Sequence, residues 1–561
     1  MAQIPYRANL SSATYPLSLE KSGRTIINPG ADQNFDRRVD PPGDNSKDVG
    51  IPQAIYMENT LPTYNGFQSV GYKPQGDLSV AANESINHII EIPIQAAGTA
   101  GPNLWTLTLR SDDTVFAHSA PGAGAAVGMS GAYATPAPSE NVSVAYVQGR
   151  TFLFVRGGVL FELVEVAGAI VASDITGTVT GIILAQCAFM IGAFNYLIFF
   201  FSDGTANWSS LSNPVDFTPS LVTGAGFETP GGVKAKVINI KEHPAGFIIY
   251  TRKNAIVGKY TGNRQYPWRF SEIQDSLGIF TAEAVVGSTN SNQHLTRASS
   301  GDIALVTADS AQIIIPDVSD YIQNSRVYSD FDGSIFVTQR LPITRAFDDT
   351  NRAGMFNQLN YLEERYLVVS YGAGIDATTV SEHYVFSFAF IYDTVLRRLG
   401  RLKFRHTHIT SYNGSLYAWA GFNDGDVLSD QVFKIITDIY DQNIDGEGDI
   451  YFHTGVLALG KFQYVRNYNL VIEGIEIESV QPTPDFGGVG LSYNFSVKDF
   501  ISYDGKNYID PPISPEFLSH VGFLQQYQIH TEAKNHTIMI SGAFDLASIA
   551  LTFSLGGKPF G

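Results

Sequence analysis

Short β-branched and aromatic runs, each closed by a Gly, Asn or Asp turn, dominate the middle of the chain. They recur at irregular spacings of roughly 40 to 60 residues, the period range of propeller blades. No amphipathic helix longer than about three turns interrupts them, and Asp317 to Asn324 is the one short helical candidate. From about residue 450 the rhythm changes to longer strands. These observations predict an all-β protein: a β-propeller over 86–449 and a β-rich, sandwich-like platform domain. The platform is expected to be discontinuous, formed by 51–85 and 450–561, after an extended arm at 1–50.

The arm holds few apolar residues and many turn formers, such as Asn28-Pro29-Gly30 and Pro41-Pro42-Gly43-Asp44. Such a segment cannot bury a core of its own and is expected to order against a neighbour. Next come Glu58-Asn59-Thr60-Leu61-Pro62 and a short strand pattern at Gly66 to Tyr72. The Ala/Gly/Pro-rich stretch Ala120 to Pro138 predicts a loop or insertion. Val144 to Leu163 reads as strands turning at Gln148-Gly149 and Gly157-Gly158. Ile182 to Phe201 is the one membrane-like stretch. It contains Gln186, Gly192 and Asn195 and lacks basic flanks, so two buried strands turning near Gly192 to Asn195 explain it better than a membrane helix. Further units are Val237 to Tyr260, Ile303 to Ile315, Tyr366 to Tyr392 and Ile409 to Ile436. A blade cannot bury both faces alone, so these units must pack around an axis. The platform strands are expected at Phe452 to Leu459, Tyr468 to Val480, Gly490 to Ser502 and Thr537 to Ser541.

The chain has 561 residues, too many for one ordinary compact core. Its formal net charge is −18. That balance excludes binding of nucleic acid by phosphate neutralisation, which needs clustered Lys and Arg, but suits a conduit past which DNA slides. The single cysteine, Cys187, lies in an apolar context and cannot form an internal disulfide, so folding needs no oxidising compartment. The N-terminus lacks the apolar core of a signal peptide.

Catalytic signatures are missing. The sequence has no phosphate-cradling Gly-x-x-x-x-Gly-Lys-Ser/Thr, no Gly-x-Ser-x-Gly elbow, no His-Glu-x-x-His and no cysteine pair for zinc. Asp112-Asp113, Asp348-Asp349 and Glu363-Glu364 are adjacent pairs. They do not by themselves set two carboxyls roughly 5 to 10 Å apart across a cleft. His406 and His408 share one side of a strand. The cations Arg397, Arg398, Arg401, Lys403 and Arg405 around them argue against a metal and for an exposed basic edge that docks on an acidic partner. The sharpest local candidate is Asp441-Gln442-Asn443-Ile444-Asp445-Gly446-Glu447-Gly448-Asp449. Asp441, Asn443, Asp445 and Asp449 could turn oxygen ligands toward one Ca²⁺. Phe452 replaces the bidentate Glu of an EF-hand, and no flanking helices are apparent; an acidic turn between domains is the alternative.

Four places carry a family likeness: Glu58 to Pro62 followed by Gly66 to Gly71; the turn Trp208-Ser209-Ser210-Leu211-Ser212-Asn213-Pro214-Val215-Asp216-Phe217; Gly246 to Tyr250 through Asn254-Ala255-Ile256, then Gln274 to Gly278; and the late strand Phe500 to Tyr508. In these the chain resembles the tail hub proteins of short-tailed bacteriophages, also termed nozzle, tail tubular or packaged-DNA stabilisation proteins. The resemblance implies a non-enzymatic structural protein of the virion, assembled in the host cytoplasm. It implies a homohexameric ring below the portal and head-to-tail adaptor, contacting tail fibres or spikes and a tail plug or needle. DNA would only pass through its lumen, no cofactor would be needed, and no membrane insertion is expected. The first rival is a carbohydrate-binding or carbohydrate-active propeller, which draws on 28 Tyr and 4 Trp as sugar-stacking surfaces. The second is a monomeric propeller scaffold for protein partners.

Overall fold

The computed structural model describes residues 4–9, 17–19, 25–26, 53–63, 67–98, 101–130, 142–279, 281–287, 292–298, 302–315, 326–328, 335–336, 338–340, 357–363, 365–371, 385–395, 398–425, 429–436, 455–463, 469–479, 495–502, 508–509, 515–521 and 524–555. Among them the helical residues are three short 3₁₀ turns, Thr176–Thr178, Leu184–Gln186 and Ala282–Ala284. The protein is all-β. The helix candidate Asp317 to Asn324 lies outside the described residues.

Tight turns make each strand pair with its sequence neighbour. Gln148 and Gly149 have φ of 54° and 76°, and Phe194 and Asn195 have 50° and 66°. Both pairs are two-residue hairpin turns whose left-handed residues match the strand twist. The second turn joins Cys187–Ala193 to Tyr196–Phe201, so the membrane-like stretch folds as two paired strands. Repetition of this step builds seven successive antiparallel sheets among the described residues. Blade one is Ile86–Gln95, Pro102–Arg110, Val115–Ala120 and Ala123–Ala126. Blade two is Val142–Val147, Arg150–Val155, Val159–Val166 and Ala169–Asp174, with Gly128–Ser130 added in parallel. Blade three is Cys187–Ala193, Tyr196–Phe201, Ala206–Trp208 and Gly226–Glu228. Blade four is Val237–His243, Gly246–Thr251, Ala255–Tyr260 and Trp268–Glu272. Blade five is Val285–Val286, His294–Arg297, Ile303–Val306 and Ala311–Ile315. Blade six is Asn357–Leu362, Tyr366–Tyr371, Phe386–Asp393 and Arg398–His406. Blade seven is His408–Tyr412, Ser415–Ala420 and Gln431–Ile436, completed by Gly71–Asp77.

Side chains of a strand alternate between its two faces, and here both faces are buried. Leu153 and Phe161 pack with Ile94 and Leu107 between blades one and two, while Phe154 and Leu160 pack with Phe199 and Phe217 between two and three. The same logic gives Phe200, Trp208, Phe247 and Trp268 between three and four, and Tyr250, Val257, Ile279 and Val306 between four and five. Leu295, Leu367 and Phe388 join five to six, and Val368, Phe404 and Phe433 join six to seven. The seventh core, of Trp419, Val432, Leu78 and Ile86, returns to blade one. The ring of sheets therefore closes, and the fold is a β-propeller.

Two sequence expectations change here. Residues 71–85 were grouped with the platform, but Gly71–Asp77 pairs with Gln431–Ile436 inside the propeller, Ile436 opposite Gly71 and Gln431 opposite Asp77. The stretch from Ala120 was expected to loop, yet Ala123–Ala126 pairs with Val115–Ala120 and Gly128–Ser130 with Ala169–Asp174. Ala and Gly carry little strand propensity, and here backbone pairing decides the conformation.

Most of the remaining strands form two sheets, the second continuous with blade six through Phe67–Ser69 and Thr60–Pro62, while Arg326–Tyr328 pairs with Thr338–Arg340 as a separate ribbon. In one, Gln53–Glu58 lies on Gly455–Gln463, followed by Asn535–Gly542, Phe495–Ser502 and Tyr508–Ile509. In the other, Leu524–Ala533, Leu470–Ser479 and Asp545–Leu555 are neighbours. Ile4–Asn9, within the arm expected to order against a neighbour, pairs with Asp545–Leu555 of its own chain. Asp499 of the first sheet accepts hydrogen bonds from His536 at 2.9 Å and from the Thr531 hydroxyl of the second, all three buried. Replacing Asp499 by Ala strands both buried partners. It is expected to lower unfolding free energy by about 2–4 kcal/mol in chemical denaturation.

Candidate functional site

Residues 53–77 join everything described so far. Gln53–Glu58 belongs to a platform sheet, Thr60 pairs with Arg401 of blade six, Phe67–Ser69 pairs with Asp545–Leu555, and Gly71–Asp77 completes blade seven. Asn59 turns the chain between the first two tasks. Its φ is 47°, a left-handed conformation that Asn adopts more readily than most residues. It is 1% exposed. Its Oδ1 accepts from the Lys403 backbone N–H at 2.9 Å and from the Tyr72 hydroxyl at 3.0 Å, and its own carbonyl accepts from Val70 N–H at 2.9 Å. Glu58 pairs with Lys403 at 2.8 Å. Thr60 donates to the carbonyls of Glu58 and Val456. Tyr72 stacks on Phe404 at 4.3 Å, and burial followed by the Glu58 charge pushes its hydroxyl well above the usual tyrosine range. A Cβ on Gly400 would collide with the Thr60 carbonyl oxygen, so blade six needs glycine where this segment crosses it.

The basic run expected as a docking edge lies at the same junction. Arg401 is 3% exposed, its guanidinium 4.5 Å from the centre of the Phe388 ring. Arg405 pairs with Asp424 at 2.6 Å and lies over Phe422. Lys403 and Arg405 remain half-exposed but are neutralised within the chain. Arg398 is on the blade-six strand, and Arg397 lies outside the described residues. The partners of this run come from residues distant in sequence, and no local pattern announces them. His406 and His408 are buried rather than exposed. His406 bonds Ser370 Oγ at 2.9 Å, and burial lowers its pKa to about 4. Burial, with His88 and His406 nearby, holds His408 well below the usual range.

Asp112 caps its own turn by accepting from Thr114 N–H and Oγ1. The calcium candidates Asp441, Asn443, Asp445 and Asp449 lie outside the described residues, as do Asp348, Asp349 and Glu364. Among the described residues no group of three His, Cys, Asp or Glu side chains could hold a metal ion. Burial raises the Cys187 thiol to about 12, so it is a packed hydrophobe and a poor nucleophile.

The other likeness motifs are also junctions. Trp208 donates to the Gly224 carbonyl at 2.9 Å, Ser209 Oγ accepts from Leu197 N–H, and Ser210 N–H donates to the Asp216 carbonyl. Asp216 in turn accepts from Thr180, and Val215 and Phe217 insert into the core between blades two and three. Gly278 packs on the Arg252 carbonyl, where a Cβ has no room, and Gln274 bonds backbone groups of blade five.

Opening strands touch in succession from blade one to blade four and from blade five to blade seven, which places them around the propeller axis. Glu242 Oε1 accepts from Gly192 N–H at 3.1 Å across blades three and four. Burial raises Glu242 to about 6 and Glu283, beside Lys241, to about 7. His294 accepts from the Tyr250 hydroxyl at 2.9 Å while its other nitrogen faces the Glu242 carbonyl, and burial lowers it to about 3. These groups hold blades together. Leu221, Val222 and Tyr266, 72%, 86% and 70% exposed, lie on adjoining loops of blades three and four, with Gly224 against Arg264. Sequence reading missed this patch, because only the closed ring shows that the two loops meet.

No family model matches the sequence. No curated protein matches it either. Among solved structures it is similar to the WD40 β-propeller domain of Doa1, at 11% identity over 66% of this chain and 98% of that one, with a TM-score of 0.33. It is also similar to YCF48 from Cyanidioschyzon merolae, at 9% identity over 67% and 100%, with a TM-score of 0.37. The strand pairing and the seven closed cores carry the fold assignment.

Two outcomes are expected. Asn59→Ala loses both acceptor contacts and the left-handed preference, lowering stability by about 2–4 kcal/mol, and Asn59→Gly recovers only the backbone part. A carboxyl raised on folding stabilises fully below its ordinary value, and that contribution disappears as pH rises through the raised one. The wild-type urea midpoint, measured relative to that of Glu283→Gln, should therefore fall as pH rises from 5 to 8.

Proposed function

We propose that this protein is a non-enzymatic structural component of a short-tailed phage tail, one subunit of a hexameric nozzle that extends the DNA channel below the portal and adaptor. The observation that carries the reading is the use of the likeness motifs: around Asn59, Trp208 and Gln274 the described polar groups join strands, blades or domains. The propeller on a β-rich platform agrees with what the resemblance implies, as does the acidic balance of −18, which keeps phosphates from adhering. The exposed Leu221, Val222 and Tyr266 supply an apolar patch suited to subunit or partner contact.

Negative-stain imaging of the protein, alone and mixed with the products of neighbouring genes, tests the reading. Six-membered rings with a central hole, free or on an adaptor, are expected. Persistent single particles that bind or cleave bacterial polysaccharide would instead establish the carbohydrate-directed propeller. Val222→Asp should leave the unfolding midpoint nearly unchanged and reduce ring formation at least tenfold.

A further inference from the structure

The propeller is closed by a strand from its other end, and two carboxyls sit at the point of closure. Gly71–Asp77 runs along Gln431–Ile436 with Asp77 opposite Gln431. Asp430 precedes that partner strand in a left-handed conformation, φ 60°. Its Oδ1 accepts from Val80 N–H at 2.7 Å, and its carbonyl accepts from Leu78 N–H at 2.9 Å. Asp77 Oδ1 accepts from Ser79 N–H at 2.6 Å. Both side chains thus clamp the same connector, 77–80, which carries the chain from blade seven into blade one, and this brings the two carboxyls near one another. Arg110 of blade one donates to the Leu78 and Ser79 carbonyls and is held over Phe116, with Asp112 near its charge. The charged groups facing the pair are therefore Arg110 and, through it, Asp112. The connector's backbone carbonyls occupy part of the Arg110 fork, so the second carboxylate is incompletely compensated.

We propose that Asp77 and Asp430 form a proton-operated latch on the closing strand. With one proton between them the carboxyls bond and hold Gly71–Asp77 in place; with that proton gone two anions face each other and the strand opens more often.

Burial, with the neighbouring Asp77 carboxyl, raises Asp430 to about 6, against the opposing pull of Val80 N–H and Arg110. The sign follows: the raised carboxyl supports closure fully below its ordinary value, and the support is lost as pH rises through about 6. Asp430 is only partly buried, so solvent weakens the effect to roughly tenfold in the opening equilibrium.

Hydrogen exchange of the full-length protein from pH 5 to 8, corrected for the chemical exchange rate, tests the latch. Amides of 71–80 and 431–436 are expected to open about tenfold more often at pH 8 than at pH 5, with the blade-two strand Arg150–Val155 unchanged. Asp430→Asn keeps an acceptor for Val80, donates an amide proton to Asp77 and suits the left-handed backbone. It should stay at the low-pH level throughout. Asp77→Asn should flatten the profile equally and carries the test if the first variant folds poorly. A flat wild-type profile, a rise shared by Arg150–Val155, or variants that keep the rise would overturn the proposal.

Discussion

The segment 53–77 constrains the rest of the structure, and Asn59 is its pivot. A chain that must leave a platform sheet, cross blade six and then complete blade seven has to reverse direction within a few buried residues. A buried reversal leaves backbone donors without water, and a buried donor needs a partner. Asn59 meets both demands, because its side chain tolerates the left-handed turn and its Oδ1 receives Lys403 N–H and the Tyr72 hydroxyl. The surrounding groups fit around that solution. Glu58 takes the Lys403 charge, Thr60 ties the turn to Val456, and Gly400 leaves space for the crossing.

The propeller shows the same economy on a larger scale. A four-stranded sheet buried on both faces has no stable existence alone, and seven of them solve the problem only if the last meets the first. The final core is built from Trp419 and Val432 on one side and Leu78 and Ile86 on the other. Closure therefore depends on residues at opposite ends of the propeller sequence. Polar groups between blades act as fasteners: His294 with Tyr250 and Glu242 with Gly192 are paired where apolar packing alone would leave sheets free to slide.

These facts bear on the proposed role. A protein that forms part of a conduit needs stiffness and partner surfaces more than reactive groups. The chemistry-bearing residues follow that division: Cys187 is buried, the histidines near the blade seams are neutral, and the basic run is spent inside the chain. Among the described residues, Leu221, Val222 and Tyr266 are exposed apolar side chains on adjoining loops.

The all-β class, the blade-like repeats, the Gln148-Gly149 turn and the buried hairpin at Ile182 to Phe201 were legible because they depend on local properties: β-branched runs, turn residues and uninterrupted apolarity. The ring's closure was not legible, since nothing in Gly71–Asp77 names a partner some 350 residues away. Nor was the strand at Ala123–Ala126, whose small residues take their conformation from the ladder beside them. The basic run shows the limit most directly. By itself the sequence determined that cations cluster at 398–405 on a strand, because composition and alternation are local. Only the tertiary structure decided that Glu58, Asp424 and the Phe388 ring would consume them, because charge is compensated by whatever the fold brings within a few ångströms.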